Sequence, residues 1–471
     1  MTQNPFDAQA FRGAVVTDVN DADQVRRAVA DYKIMVLAVL DRILLRFERN
    51  HDWPFVDTKL NLVTGDDFPG DDPIRGMGVI YGWIQGRGLE ALSGHLTWLR
   101  RQEDIDPDLR KHLERRVLRM IRAVLARMET LRGVNGGRLF FMMTPQGQPL
   151  SVTPQGLIVT RQVPPDAPCS MNDMFYCKGM VAAGVALNDS AVIEAARELF
   201  AHVLRDIVSG RFYSDQQQLD PRNPTAAPPG RFGHGSRMIG IGAAARFLES
   251  TGDPEYGRIG MEFIDHILSY HVNLAPAPEI GEPFDMWEHV DRDGRAWVRD
   301  GVLASDPGHA TEFVGLSLKL LGLAEVMGAV NDKLLPNSRR FRRLLPQVLE
   351  RNFRNGFSPR GLGIVKSYDL VGRRALNDQM PWWSLPETMR AAIEACFVVE
   401  PGAREGFAKM AADCSNAFVT HYVRRELGLM AVQTLNRDGS VADAVPATPD
   451  ADPGYHTGLS IIDCLDMLAG I

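Results

Sequence analysis

The sequence predicts an all-α (α/α)6 barrel, a toroid of six helical hairpins with short β pieces in the long loops of one face. Three observations lead there. About twelve stretches carry apolar residues at helical spacing. The connections between them alternate, short then long. The even-numbered helices each follow a long loop and start about 60 to 95 residues apart, too long a period for the common solenoids.

Taken in order, the first helix is expected over 21–49, with Val25, Val29, Val36, Leu40, Ile43, Leu44 and Phe47 along one stripe. The second spans 78–101, and the third, 107–131, is rich in Arg and Leu. The fourth and fifth, 172–187 and 190–208, are separated only by Asn188-Asp189. Thr251-Gly252-Asp253 joins the sixth, 236–249, to the seventh, 254–271. The remaining helices are expected over 307–327, 337–351, 383–397, 402–425 and 455–468. The long loops 50–77, 132–171, 209–235, 272–306, 352–382 and 426–454 are rich in Gly, Pro and Asp, and 139–143 and 156–160 read as strand. Helix pairs joined by short loops stack antiparallel. Six such pairs close most simply into a double ring with all the long loops on one face. Loops on a rigid scaffold carry function, so that face is the expected active face. The chain reads as one catalytic domain, 1–471, with 1–20 as an N-terminal extension.

Composition narrows the partners. With 45% hydrophobic and 24% charged residues, the chain has the balance of a protein that buries a large core. A formal charge of −7 argues against nucleic acid. The longest aliphatic run, 34–40, is too short to cross a bilayer, and no basic segment followed by an apolar one opens the chain. The five cysteines, Cys169, Cys177, Cys396, Cys414 and Cys464, include no Cys-x-x-Cys, which fits free thiols in a reducing compartment. A cytoplasmic protein is expected. Asp66, Asp67, Asp71 and Asp72 lack the calcium-loop pattern, and no metal-ligand spacing appears, so neither metal nor cofactor is expected.

The residues suited to chemistry gather at the starts of the even-numbered helices. Before the eighth, Asp306 is a natural cap and Pro307 suits the first position. His309 and Glu312, three apart, share a face of the first turn, and an imidazole held by a carboxylate is an acid/base near neutral pH. The plainer alternative is a partly buried histidine at a helix start. In the second helix Arg87 lies between Gly86 and Gly88, whose small size leaves the guanidinium room to project. In the fourth, Asp173 reads as a cap and Tyr176 as pocket-lining. His234, between two glycines, and Arg237 open the sixth. Trp382 and Trp383 open the tenth, where a sugar's C–H face can stack, and Glu387 falls a turn later, placed to bond hydroxyls or orient a histidine. Tyr455 and His456 open the twelfth and supply a second histidine.

Gly308-His309-x-x-Glu312, Trp382-Trp383-x-x-x-Glu387, Tyr455-His456 and Gln85-x-Arg87 together resemble the N-acylglucosamine 2-epimerase family, in order and spacing over roughly residues 30 to 468. That family includes cellobiose 2-epimerases and aldose–ketose isomerases acting on mannose or sulfoquinovose. The resemblance implies an (α/α)6 barrel and proton abstraction next to the carbonyl of an open-chain sugar, through a cis-enediolate. It makes His309 and His456 the pair that removes and returns the proton. Arg87 would stabilise the enediolate oxygen, and Glu312 and Glu387 would support substrate or histidine. One departure stands out. Where members carry Asn-x-His-Leu-Leu-Glu, this chain has Arg237-Met238-Ile239-Gly240-Ile241-Gly242, and His234 lies five residues too early. A more basic helix-six side follows, suited to an acidic sugar held by Arg237. The expectation is a sugar epimerase or isomerase acting on a free reducing sugar, a monomer or homodimer. The alternatives are a glycoside hydrolase using two of Asp173, Glu288, Glu312 and Glu387, and a non-catalytic sugar-binding protein.

Overall fold

The computed structural model describes residues 10–153, 155–164, 166–217, 230–275, 280–444 and 451–469. Residues 1–9 of the expected extension, and parts of the long loops 209–235, 272–306 and 426–454, lie outside these. Among the described residues the helices are α1 (Ala22–Arg49), α2 (Gly82–Arg101), α3 (Pro107–Val134), α4 (Met171–Leu187), α5 (Ser190–Val208) and α6 (Gly235–Thr251). They continue as α7 (Pro254–Tyr270), α8 (Pro307–Val326), α9 (Leu335–Gly356), α10 (Ser384–Val398), α11 (Arg404–Ala417) and α12 (Ser460–Leu468). Two ends depart from the expected spans. α11 relaxes into a π-helical turn, Phe418–Tyr422, and another, Tyr455–Leu459, precedes α12.

Capping explains several of the starts. Asp106, Asp189, Asp253 and Asp306 each accept backbone N–H bonds at the first turn of the helix that follows, and Pro107, Pro254 and Pro307 take positions where no N–H is needed. Asp173 is not a cap. Ser170 holds that place, and Asp173 accepts the Ser170 N–H at 2.9 Å, one half of a capping box.

α2, α4, α6, α8, α10 and α12 each pack on the next, and the turn before α12 packs on α2 and closes an inner ring. α3, α5, α7, α9 and α11 back their preceding helices, and α1 backs α12. This is the (α/α)6 barrel. The sequence pattern dictates which helices go inside. α4, α6 and α8 are apolar nearly all round and need cover on both sides, whereas α5, α7 and α9 are strongly one-sided and leave a face to water. Gly86 and Gly179 let α2 and α4 approach. A Cβ on Gly179 would lie 2.2 Å from the Gly86 carbonyl oxygen, and one on Gly86 would meet the Phe175 backbone at 2.7 Å. Gly86 therefore serves helix contact, not the freedom of Arg87 expected from sequence.

The long loops pair as short strands above one end of the ring. Met142–Met143 and Ile158–Thr160 lie inside the two stretches read as strand, and they pair with Ile80–Tyr81 and Leu150–Val152, which lie outside them. No helix of the described residues is long and apolar enough to cross a membrane.

Candidate active site

Three strand pairs aim the site. Phe232–Gly233 pairs with His289–Val290, which makes His234 and Glu288 neighbours. Ala304–Ser305 pairs with Ser367–Asp369 and delivers the start of α8. Met380–Pro381 pairs with Thr434–Leu435, and the Trp382 N–H donates to the Gln433 carbonyl at 3.0 Å, which fixes the tandem tryptophans.

At α8, Asp306 caps as the sequence implies, accepting the N–H groups of Gly308 at 3.0 Å and His309 at 3.3 Å. The same carboxylate accepts from Lys366 Nζ at 2.6 Å and lies 3.5 Å from His309 Nδ1. Glu288 is the nearer partner. Its Oε2 lies 3.2 Å from His309 Nδ1, and its Oε1 lies 3.0 Å from His234 Nε2. Burial opposes an imidazolium here, but Asp306 and Glu288 outweigh it and lift the His309 pKa to about 9. Burial likewise opposes the Glu288 carboxylate, yet His234 and His309 hold it well below the usual carboxylate range.

The second histidine mirrors the first. Gly454 turns the chain in the left-handed region, at φ 80°, and Asp452 accepts the N–H groups of Tyr455, His456 and Thr457 at 3.0, 3.4 and 2.8 Å. His456 Nδ1 lies 2.9 Å from Glu387 Oε1, which also accepts from Ser460 Oγ at 2.7 Å, while Arg390 donates to Oε2. Burial pushes the Glu387 pKa up, but Arg390, His456 and Ser460 overcome it and hold the group at about 2. Glu312 is different. Burial and repulsion from Glu387 raise its pKa above the ordinary carboxylate value.

Trp383 joins the two pairs. Its indole stacks on the His309 ring at 5.3 Å between centroids and lies 5.9 Å from the His456 ring. Trp382 meets His456 edge-on at 6.1 Å. Arg87 is half-buried among rings, its guanidinium 4.2 Å from the Phe175 centroid and 5.4 Å from those of Trp83 and Tyr455. Tyr455 accepts from Lys178 Nζ at 2.7 Å and lies edge-on to His456 at 4.9 Å.

The structure thus gathers His309, His456, Trp382, Trp383, Glu387, Glu312, Tyr455 and Arg87, and it adds His234 through Glu288. Three expectations change. The carboxylate on His309 is Glu288, not Glu312: one helical turn carries Glu312 down the inner face, and the loop carboxylate reaches Nδ1 instead. Tyr176 does not line the pocket, because its hydroxyl turns outward and donates to Glu129 on α3 at 2.6 Å. Arg237 is half-buried and acts electrostatically on His266 of the outer helix α7, and burial alone lowers its own pKa. The cations beside the paired histidines are Lys366, 2.6 Å from Asp306 and 5.5 Å from the Trp383 ring centre, and Arg390, which donates to Glu387. Glu288 and Lys366 lie in loops without periodicity, and nothing in their spacing marks them.

His234 Nε2, the Glu288 carboxylate and His309 Nδ1 lie within 4.8 Å of one another, close enough to hold a metal ion. They also satisfy one another by hydrogen bonds.

The helical barrel thus presents two histidine–carboxylate pairs against one indole. The family described as N-acylglucosamine 2-epimerase (GlcNAc 2-epimerase) matches residues 160–457, more than half of the chain. The chain belongs to that family and is an epimerase or isomerase of sugars. Three solved structures share its fold. The cellobiose 2-epimerase from Bacillus thermoamylovorans B4167 superposes with a TM-score of 0.66 at 11% identity, covering 93% of this chain and 98% of that one. A sugar epimerase from a ruminal bacterium gives 0.64 at 11%, with 94% and 99% covered. A D-mannose isomerase gives 0.61 at 12%, with 92% and 97% covered. No curated protein matches the chain.

Proposed function

We propose that this chain interconverts a free reducing sugar with its C2 epimer or its ketose, by moving the proton next to the carbonyl through an enediolate. His309 and His456 are the acid and base. One observation carries this: two imidazoles, each with Nδ1 tied to a carboxylate, lie against the same indole. A carboxylate on Nδ1 fixes the ring and its tautomer and leaves Nε2 for the substrate. His309, whose neighbours favour the imidazolium, enters as the proton donor, and His456 as the base. Arg87 faces the charge that develops on the enediolate oxygen. Trp382 and Trp383 supply the stacking surface, and Glu312 and Tyr455 bond hydroxyls. Family membership favours neither the glycoside-hydrolase reading nor the non-catalytic one.

The test is incubation with a panel of neutral and acidic reducing sugars in heavy water, followed by proton NMR. Deuterium entering C2 of at least one sugar, with appearance of its epimer or ketose, is the expected result. A panel in which reducing ends are released from glycosides and no C2 proton exchanges would sink the reading.

A further inference from the structure

Beneath the paired histidines the barrel is not filled. A narrow cavity of about 40 Å³ runs down the axis between the inner helices. On α8 it is lined at successive turns by Glu312, Leu316, Lys319 and Leu323, so it follows the helix from the floor of the site to the far end. The upper end is closed, with Glu312 and Glu387 6% and 2% exposed. At the lower end the Glu249 and Lys319 side chains are 49% and 32% exposed. The well therefore opens on the face opposite the long loops.

Its walls are ionic. Asp463 accepts from Lys319 at 2.7 Å and lies 3.6 Å from Arg390 Nη1, and Arg390 in turn clamps Glu387. Lys178 lies 3.1 Å from Glu90, whose other oxygen is 3.7 Å from Arg246 Nε. Two buried atoms on these walls still lack a hydrogen-bond partner, Nε of Arg246 and Nε of Arg390. Buried polar atoms without partners around a polar cavity large enough for a few waters call for water.

We propose that this well is the route by which solvent protons reach the two histidines while a sugar fills the loop-side pocket, with Glu312 as the group that hands them across. The idea rests on the reaction proposed above. After each turnover one imidazole has gained a proton and the other has lost one, so both must be reset. Glu312 lines the top of the well, and both imidazoles act on its charge. At the imidazole that gained a proton, the N–H bond breaks as an O–H bond forms on one oxygen of the neutral carboxyl. The other oxygen releases its own proton to water in the well. The reverse sequence recharges the partner imidazole, so protons and charge balance over the cycle. Burial and the nearby Glu387 raise the Glu312 pKa, in the direction of the protonated form that this transfer starts from.

The experiment plugs the well away from the reacting groups. At Gly242 an added Cβ would lie 3.1 Å from Leu316 and 3.5 Å from Lys178 Nζ, so Gly242→Leu fills the shaft from α6. Leu316→Phe fills the same section from α8 and guards against a misfolded first variant. The probe is whichever reducing sugar the wild type converts, run in heavy water, with deuterium per turnover read by NMR beside the conversion rate and the melting temperature. Folded, plugged variants should convert sugar several-fold more slowly, because both imidazoles must be reset each turnover, with deuterium per turnover reduced several-fold and the original hydrogen returned in its place. Unchanged deuterium per turnover in both variants would overturn the route and put proton entry at the loop face. A wild type that converts no sugar would overturn the proposed reaction, and this route with it.

Discussion

Replacing Glu387 by glutamine removes the charge from the most heavily bonded carboxylate of the site. One oxygen accepts from His456 Nδ1 at 2.9 Å and Ser460 Oγ at 2.7 Å, and the other accepts from Arg390. Glutamine keeps the shape but has one acceptor oxygen, and its amide nitrogen must face one of these donors. Arg390 is buried and would keep Asp463, 3.6 Å away, as an anionic partner. Removing one member of a buried ion pair costs roughly 3–5 kcal/mol, and the bonds glutamine retains place this change near the lower end. Activity should fall about 10²-fold, the lower end of what a general acid or base contributes, because His456 loses the group that orients it without being lost itself. The acid side adds a check. The Glu387 pKa is depressed, so its contribution to stability is complete above the ordinary carboxylate range and is lost as pH falls toward 2. Urea denaturation at pH 7 and at pH 4, with kcat/KM measured well below the variant's melting temperature, reads all three effects. A glutamine variant with wild-type stability and activity within a few-fold of wild type would refute the reasoning.

Three further outcomes follow from the same geometry. Because Asp306 and Glu288 hold the His309 proton to about pH 9, kcat/KM should decline on the alkaline side near that pH. The stabilisation from this ion cluster is complete below the ordinary imidazole value of 6.5 and is lost as pH rises through about 9, and Glu288→Gln should move the alkaline limb down; a pH profile that Glu288→Gln leaves unchanged contradicts this. Tyr176→Phe should cost about 1 kcal/mol for the bond to Glu129 and leave kinetics untouched, which denaturation and a rate assay check together. Glu90→Ala strands buried Lys178 and should cost roughly 3–5 kcal/mol, and adding Lys178→Met should recover part of it; a double variant no more stable than the single one counts against the buried pair.

Much of the architecture is legible because helices announce themselves by period and cap. The Asp306-Pro307 start and the tandem tryptophans are local features, and the structure keeps them as read. The alternation of short and long loops is also local, yet it encodes the closed ring. What escapes is tertiary. Helix α4 is apolar on all sides, so its period cannot say whether Tyr176 faces the axis or the outer layer, and it faces out. Glu288 and Lys366 enter the site through short strand pairings between loops far apart in sequence, and such pairings leave no periodic trace. His234 looks displaced from the family's histidine when residues are counted along the chain. The pairing of Gly233 with His289 is what carries it to Glu288.

The central claim is that His309 and His456 move the sugar's proton. The most direct measurement is deuterium exchange at C2, in heavy water, for His309→Gln and His456→Gln beside the wild type, on the sugar that the wild type converts. Both variants should stay folded and bind the sugar, and both should lose conversion by about 10²- to 10⁴-fold. His456→Gln should also lose the exchange itself, since no base remains to take the C2 proton. A folded His456→Gln variant that exchanges C2 at the wild-type rate would contradict the account.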